Sequence, residues 1–162
     1  MKLKNVLNGL DILSASADLD QEISGVSYDS RTVEKGNVFV AISGEAVDGH
    51  RFIPMAMEKG AVCVVCEHIP EGNIPYVQVA HSRRALALMA GNWFDHPDRE
   101  MTMIGITGTS GKTTSTYLIK SILEQKAGAK VGLVGTIQNM IGTQVLHTER
   151  TTPESFELQK LF

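Results

Sequence analysis

Hydrophobic and polar positions follow two different periods along the chain, and each change of period marks a new element. Helical spacing near 3–8 gives way to strand-like runs near 23–28 and 37–43, then to a helix near 50–60. At 61–66 the run Ala-Val-Cys-Val-Val-Cys is β-branched and reads as a buried strand. A weaker strand near 75–79 precedes a helix over about 81–94, with Leu86, Met89, Ala90 and Trp93 on one face and His81 or Ser82 as its cap. The polar stretch Asp-His-Pro-Asp-Arg at 95–99 holds a helix-stopping proline and is the natural domain boundary, dividing the chain into 1–98 and 99–162.

Beyond that boundary the apolar run 101–104 is expected to form a buried strand, followed by a helix over 112–126 with Tyr117, Leu118, Ile122 and Leu123 at helical spacing. A second strand near 130–135, a hairpin around 141–143 and a helix begun at Pro153 complete the series. Strands alternating with helices place the chain in the α/β class.

Between the expected strand and helix, residues 105–114 read Gly-Ile-Thr-Gly-Thr-Ser-Gly-Lys-Thr-Thr. A strand, a glycine-rich turn and a helix N-terminus together make an anion cradle. Gly108 and Gly111 permit backbone conformations that bring N–H groups together, and the helix adds unpaired donors and the positive end of its dipole. Gly108, Thr109, Ser110, Gly111, Lys112, Thr113 and Thr114 are therefore the candidate ATP-phosphate site. Lys112 is the catalytic cation on the β/γ-phosphates, and the Thr113 hydroxyl is the Mg²⁺ ligand. A turn that merely packs a helix on a strand is the plainer alternative. The loop departs from the strict G-x-x-x-x-G-K-[ST] pattern, since position 106 is Ile106 and glycine stands at 105 and 108.

Composition narrows the classes. The 162 residues are 43% apolar and 20% charged, enough for a core and unlike disorder. A formal net charge of −3 without a basic cluster gives no footprint for nucleic acid. No apolar run approaches the roughly 18 residues of a membrane span, and Lys2 and Lys4 precede no apolar signal region, so a cytoplasmic location is expected. Cys63 and Cys66 form a C-x-x-C, but residues three apart on a strand point to opposite faces and no second pair completes a zinc site. They are expected to be core thiols.

The form Thr-Gly-Thr-x-Gly-Lys-Thr-Thr, from Thr107 to Thr114, resembles the loop of the Mur ligases, which join amino acids to cell-wall precursors using ATP. Tyr28-Asp29-Ser30-Arg31, followed by Gly-Asn-Val-Phe-Val-Ala at 36–41 and the segment from Gly44 to Ile53, resembles the N-terminal uridine-diphosphate domain of two members of that family. These add the third residue and the terminal dipeptide. Ser30 and Arg31 offer a hydroxyl and a forked cation suited to a diphosphate, and Gly44 and Gly49 bracket a tight loop whose backbone suits a uracil. Ordinary turns and a surface ion pair at Arg31 would explain the same residues. The stretch 147–154, His-Thr-Glu-Arg-Thr-Thr-Pro-Glu, is similar to the Thr-Thr-Pro signature of the tripeptide-forming branch, with Arg150 where asparagine often stands. A helix start with Thr152 as cap and Pro153 at the first position explains these residues too.

The resemblance implies a small UDP-binding α/β domain followed by the start of a P-loop domain. It implies ATP-dependent addition of a diamino acid to UDP-N-acetylmuramoyl-L-alanyl-D-glutamate through an acyl phosphate. It implies Tyr28, Ser30, Arg31, Glu45, Ala46, Val47, Thr151 and Thr152 as substrate-binding residues. The apolar pattern Phe156, Leu158, Leu161, Phe162 runs on without a stop signal, and about 60 residues cannot supply a whole P-loop sheet, so the chain reads as the inactive front piece of a longer enzyme. The rival classes are a nucleotide-sugar-binding module without catalysis, the dipeptide-adding relative, and another P-loop enzyme such as a small-molecule kinase. The last would need an aspartate after its second strand, where this chain has Gly135 and Thr136.

Overall fold

The computed structural model describes residues 1–44, 47–146 and 153–162. The chain divides into two compact units, Met1–His96 and Pro97–Phe162.

The first unit is an α/β sandwich around a five-stranded sheet. Its strands are β1 (Ile12–Ala15), β2 (Gly25–Ser27), β3 (Asn37–Val40), β4 (Cys63–Cys66) and β5 (Tyr76–Val79), in the spatial order β1-β5-β4-β3-β2. β2 to β5 are parallel, and β1 closes one edge antiparallel to β5. Every residue of β3 and β4 is buried, which explains why their sequences are near-continuous apolar runs. One face carries Phe39, Ala41, Val64 and Cys66 against Ile53 and Ala56 of helix α2 (Ile53–Glu58). The alternate residues Val38, Val40, Cys63, Val65 and Val77 are equally buried, on the side where α3 (Ser82–Trp93) reaches β2 and β4. Leu86, Met89 and Ala90 of α3 are fully buried as expected, and α1 (Leu3–Val6) packs on that helix. Cys63 and Cys66 are free, buried core thiols pointing to opposite faces.

Two features of this unit differ from the sequence expectations. The edge strand β1 was not expected, because its large side chains Ile12 and Leu13 are exposed and its register is interrupted between Ile12 and Ser14. His81 stands at the N-cap position of α3, as expected, but its side chain makes no capping bond. The Glu67 carboxylate, at the end of β4, accepts from the Ser82 N–H and hydroxyl, both at 2.8 Å. A carboxylate beats a neutral hydroxyl there because the first-turn donors carry the positive end of the helix dipole.

The second unit holds α4 (Lys112–Ala127), an antiparallel meander β6 (Gly132–Leu133), β7 (Asn139–Ile141) and β8 (Gln144–Leu146), and α5 (Ser155–Leu161). The turn expected at 141–143 joins β7 and β8 with Gly142 at φ 57°. Residues 101–104 are not a strand, and Met101, Met103 and Ile104 are exposed. Apolar sequence alone does not make a strand; a pairing neighbour must satisfy its backbone, and none is found among the described residues. Helix α5 begins at Ser155 instead of Pro153, because Glu154 is extended at φ −65°, ψ 160°. Among the described residues no helix is long and apolar enough to cross a membrane.

Candidate functional site

The uridine-type residues lie on the loops leaving β2 and β3, two adjacent parallel strands, at their carboxyl ends. That edge is where open α/β sheets place ligands. After β2 the turn is organised by Asp29. Its carbonyl accepts from Ser27 Oγ at 2.9 Å and from Thr32 N and Oγ1 at 3.0 Å. Its carboxylate accepts from Arg31 N at 2.9 Å and from the Arg31 guanidinium, Nε at 3.0 Å and Nη2 at 2.6 Å. These bonds from Arg31 hold the Asp29 carboxyl below its usual range. Arg31 is thus an exposed cation pinned to a neighbouring anion, as in the plainer reading of its sequence. Tyr28 is half-buried and Ser30 is buried at the start of that turn.

The loop after β3 closes on a tight stem. Gly49 N donates to Ile42 O at 2.9 Å, and a side chain at Gly49 would meet Ile42 O at 2.6 Å, so only glycine fits. Gly44 N donates to Val47 O at 3.1 Å, and Val47 is 48% exposed, open to a ligand. Glu45 and Ala46 lie outside the described residues, as do Thr151 and Thr152.

At the same edge sits a polar network that sequence reasoning missed. Asp48 Oδ1 accepts from His50 N at 3.0 Å and pairs with His50 Nδ1 at 2.7 Å. On the other side of the ring, Glu67 N donates to His50 Nε2 at 2.9 Å. An Nε2 that accepts a backbone N–H carries no proton, so the ring is neutral with its hydrogen on Nδ1, and its contact with Asp48 is a hydrogen bond and not an ion pair. Glu67 Oε2 also accepts from Ser43 Oγ at 3.0 Å. Burial raises the Glu67 carboxyl, but the bonds from Ser82 and Ser43 outweigh it and hold the group below its usual value. The one sequence signal for this hub was a lone carboxylate directly after a strand buried on both faces.

In the second unit the phosphate-loop residues are contiguous and open. Gly108 has φ 154° and Gly111 has φ 74°, and no atom lies within 4 Å of a Cβ built at Gly111. Gly108, Thr109, Ser110, Gly111, Lys112 and Thr114 are exposed, and Thr113 is half-buried. Gly111 occupies the cap position of the 16-residue helix α4, and no side-chain capping bond is made there. Lys112 Nζ donates back to Gly108 O, which lays the ammonium across the mouth of the loop. A cradle of left-handed glycines, a bare helix N-terminus and a bridging lysine fits a nucleotide phosphate. Among the described residues no group of three His, Cys, Asp or Glu side chains is placed to hold a metal ion.

These features define a two-part α/β protein with a glycine-rich loop opening a helix in its second part, and comparison with known families agrees. The family model described as "Mur ligase family, catalytic domain" matches residues 22–94, and "Mur ligase middle domain" matches 106–162. The chain belongs to the Mur ligase family. It is 48% identical over 164 residues to UDP-N-acetylmuramoyl-L-alanyl-D-glutamate--2,6-diaminopimelate ligase 1 of Clostridium acetobutylicum, covering all of this chain and 34% of that protein. The corresponding ligase of Listeria monocytogenes serotype 4b is 40% identical, with 100% and 33% covered. The chain therefore spans about a third of the length of the curated relatives it matches. Among solved structures, a UDP-N-acetylmuramoyl-L-alanyl-D-glutamate--2,6-diaminopimelate ligase matches 99% of this chain and 32% of its own at a TM-score of 0.71 and 24% identity, a likeness of fold. MurF from Acinetobacter baumannii matches 76% of this chain and 26% of its own at a TM-score of 0.54 and 28% identity.

Proposed function

We propose that this chain supplies the nucleotide-sugar-binding and ATP-phosphate-binding parts of a cytoplasmic ligase that adds a diamino acid to UDP-N-acetylmuramoyl-L-alanyl-D-glutamate in peptidoglycan synthesis. The observation that carries this reading is the open loop 108–114 inside a Mur ligase middle-domain match. The names of the relatives support 2,6-diaminopimelate as the amino acid.

In this reading ATP activates the D-glutamate carboxylate as an acyl phosphate, which the incoming amine then attacks with loss of phosphate. The contribution of this chain is positioning and charge neutralisation. The N–H groups from Gly108 to Thr114 hold the phosphates, Lys112 leaves the Gly108 carbonyl for the β/γ oxygens, and the Thr113 hydroxyl would help to hold Mg²⁺, which would neutralise phosphate charge. The turn at Tyr28, Ser30 and Arg31 and the loop at Glu45, Ala46 and Val47 hold the uridine diphosphate, while Thr151 and Thr152 hold the peptide end.

Titration with UDP-N-acetylmuramoyl-L-alanyl-D-glutamate is expected to shift backbone amides at 28–31 and 47–49, and titration with MgATP those at 108–114. Lys112→Ala is expected to weaken MgATP binding about thirtyfold, the loss of one bond to a charged group. Sugar-nucleotide shifts confined to 108–114, or MgATP affinity unchanged in Lys112→Ala, would overturn the assignment.

A further inference from the structure

We infer that His50, in its neutral form with the proton on Nδ1, is a positioning residue for the nucleotide-sugar site: it ties the stem of the β3 loop to the end of β4. The inference rests on the reading of Val47 and its neighbours as part of that site.

The geometry is a two-sided clamp. On one side the ring donates from Nδ1 to Asp48, which begins the 3-10 turn Gly49–Phe52 and forms a bridge with Ser43 across the loop stem. On the other side Nε2 accepts from Glu67 N at 2.9 Å, with His68 N at 3.4 Å as a second, weaker donor. The His50 side chain is only 11% exposed, so water cannot easily replace either partner. Glu67 in turn fixes Ser43 and the start of α3 through its carboxylate. The described stem, Ser43–Gly44 and Val47–Gly49, is thereby held to a strand buried on both faces.

A clamp of this kind has a chemical signature. Protonation places a hydrogen on Nε2 facing two backbone N–H groups, so the β4 tether is lost while the Asp48 contact survives. The charged and titratable groups around the ring are Asp48 on its own turn, Glu67 and His68 from the end of β4, and Glu71 in the recess shared with Ile53, Pro54 and Ile74. The neighbouring Arg51 guanidinium lies over the Phe52 ring at 5.5 Å.

The test uses two isosteres. In His50→Gln the amide oxygen takes the place of Nε2 and keeps the Glu67 bond; in His50→Asn the amide nitrogen takes the place of Nδ1 and keeps only the Asp48 bond. Expected results are an Nδ1–H tautomer for His50 in ¹⁵N spectra of the wild-type chain and slow exchange of the Gly44 and Gly49 amides. Affinity for UDP-N-acetylmuramoyl-L-alanyl-D-glutamate is expected within about threefold of wild type for His50→Gln and weakened about tenfold or more for His50→Asn. An Nε2–H tautomer, or equal amide exchange in the two variants, would overturn the clamp without requiring either variant to bind. Equal sugar-nucleotide affinity in the two variants, with exchange differing, would leave a clamp that positions nothing for the ligand and would overturn the inference. Absence of binding by the wild type, with the exchange pattern as expected, would instead remove the site reading beneath it.

Discussion

Met1–His96 and Pro97–Phe162 obtain their order from different sources. The first unit is built around a sheet buried on both faces, and nearly all the buried apolar side chains among the described residues belong to it. In the second, Leu133 is the one apolar side chain described as buried, while Leu118, Ile122 and Ile137 stand more than half exposed. Side-chain polarity shows the same contrast. The buried polar atoms left without a partner among the described residues, Asn139 Nδ2, Ser155 Oγ and Gln159 Oε1, all fall in the second unit. The carboxyls held below their usual range, Asp20, Asp29, Asp48 and Glu67, all fall in the first. A densely packed unit fixes its hydrogen-bond partners, whereas a loosely packed one presents its local features, including the glycine-rich loop 108–114, with little behind them.

The sharpest break of this comparison comes from thiol chemistry. Burial pushes the Cys63 thiol up to about 12 and the Cys66 thiol up to about 11. Labelling by a neutral thiol reagent near pH 8 is expected to be slowed roughly a thousandfold or more relative to the unfolded chain, because so little thiolate is present and access is closed. Rapid labelling of the native protein would show that the first unit opens far more readily than its packing implies. Core truncation comes next. Phe39→Ala is expected to destabilise the first unit by about 4 kcal/mol in urea titration, and Leu133→Ala to destabilise the second by about 2 kcal/mol or less, since its surroundings can collapse. Equal losses would remove the contrast.

Glu67→Gln is expected to cost about 2 kcal/mol, because two hydroxyls and a helix N-terminus lose a charged acceptor. The pH dependence has a definite sign. With its folded value lowered, Glu67 contributes stability that is fully present above the unfolded carboxyl value near 4.5 and disappears as the pH falls through the lower folded value. Urea midpoints between pH 7 and pH 3 should therefore fall less steeply in the variant than in the wild type. The smallest effect is expected at the Lys120–Glu124 pair, one helical turn apart with both bonds at 2.7 Å. Lys120→Met should change the second unit by only about 0.5 kcal/mol. A larger loss there would mean that this face of α4 carries more of the unit's order than its exposed apolar residues suggest.

The sequence was readable where one residue's environment is decided by its immediate neighbours. The run Ala-Val-Cys-Val-Val-Cys announced β4 because both faces of that strand are buried, and Leu86, Met89 and Ala90 announced the inner face of α3. The start of α4 at Lys112 was readable for the same reason, since the glycines before it and the helical pattern after it are contiguous. Legibility ended where partners are distant. β1 exposes both of its large side chains and is a strand only through pairing with β5, more than sixty residues on. Residues 101–104 have a strand's composition but no paired neighbour among those described. The cap of α3 comes from Glu67, 15 residues before it, and no local pattern marks a carboxylate for that task. His50 gave no signal of its own, because its partner beyond the turn, Glu67 N, is assigned only once β4 has been laid beside β3, while Asp48 is two residues away.

One contact has a consequence for the order in which the chain is made. The Asn92 amide donates to Val6 O at 2.9 Å and Asn8 O at 2.8 Å, while its oxygen pairs with His96 Nε2 at 3.0 Å. The carbonyls at the end of the first helix are thus satisfied by a side chain from the last helix of the same unit, 86 and 84 residues later. On a ribosome that synthesises from the N-terminus, α1 has to wait, unsealed, until Asn92 has left the exit tunnel, and that happens shortly before the phosphate loop emerges. The first unit thus ties its beginning to its end, and a pause in synthesis placed far enough beyond residue 96 for Asn92 to have cleared the tunnel would give it time to close before all of the second unit appears.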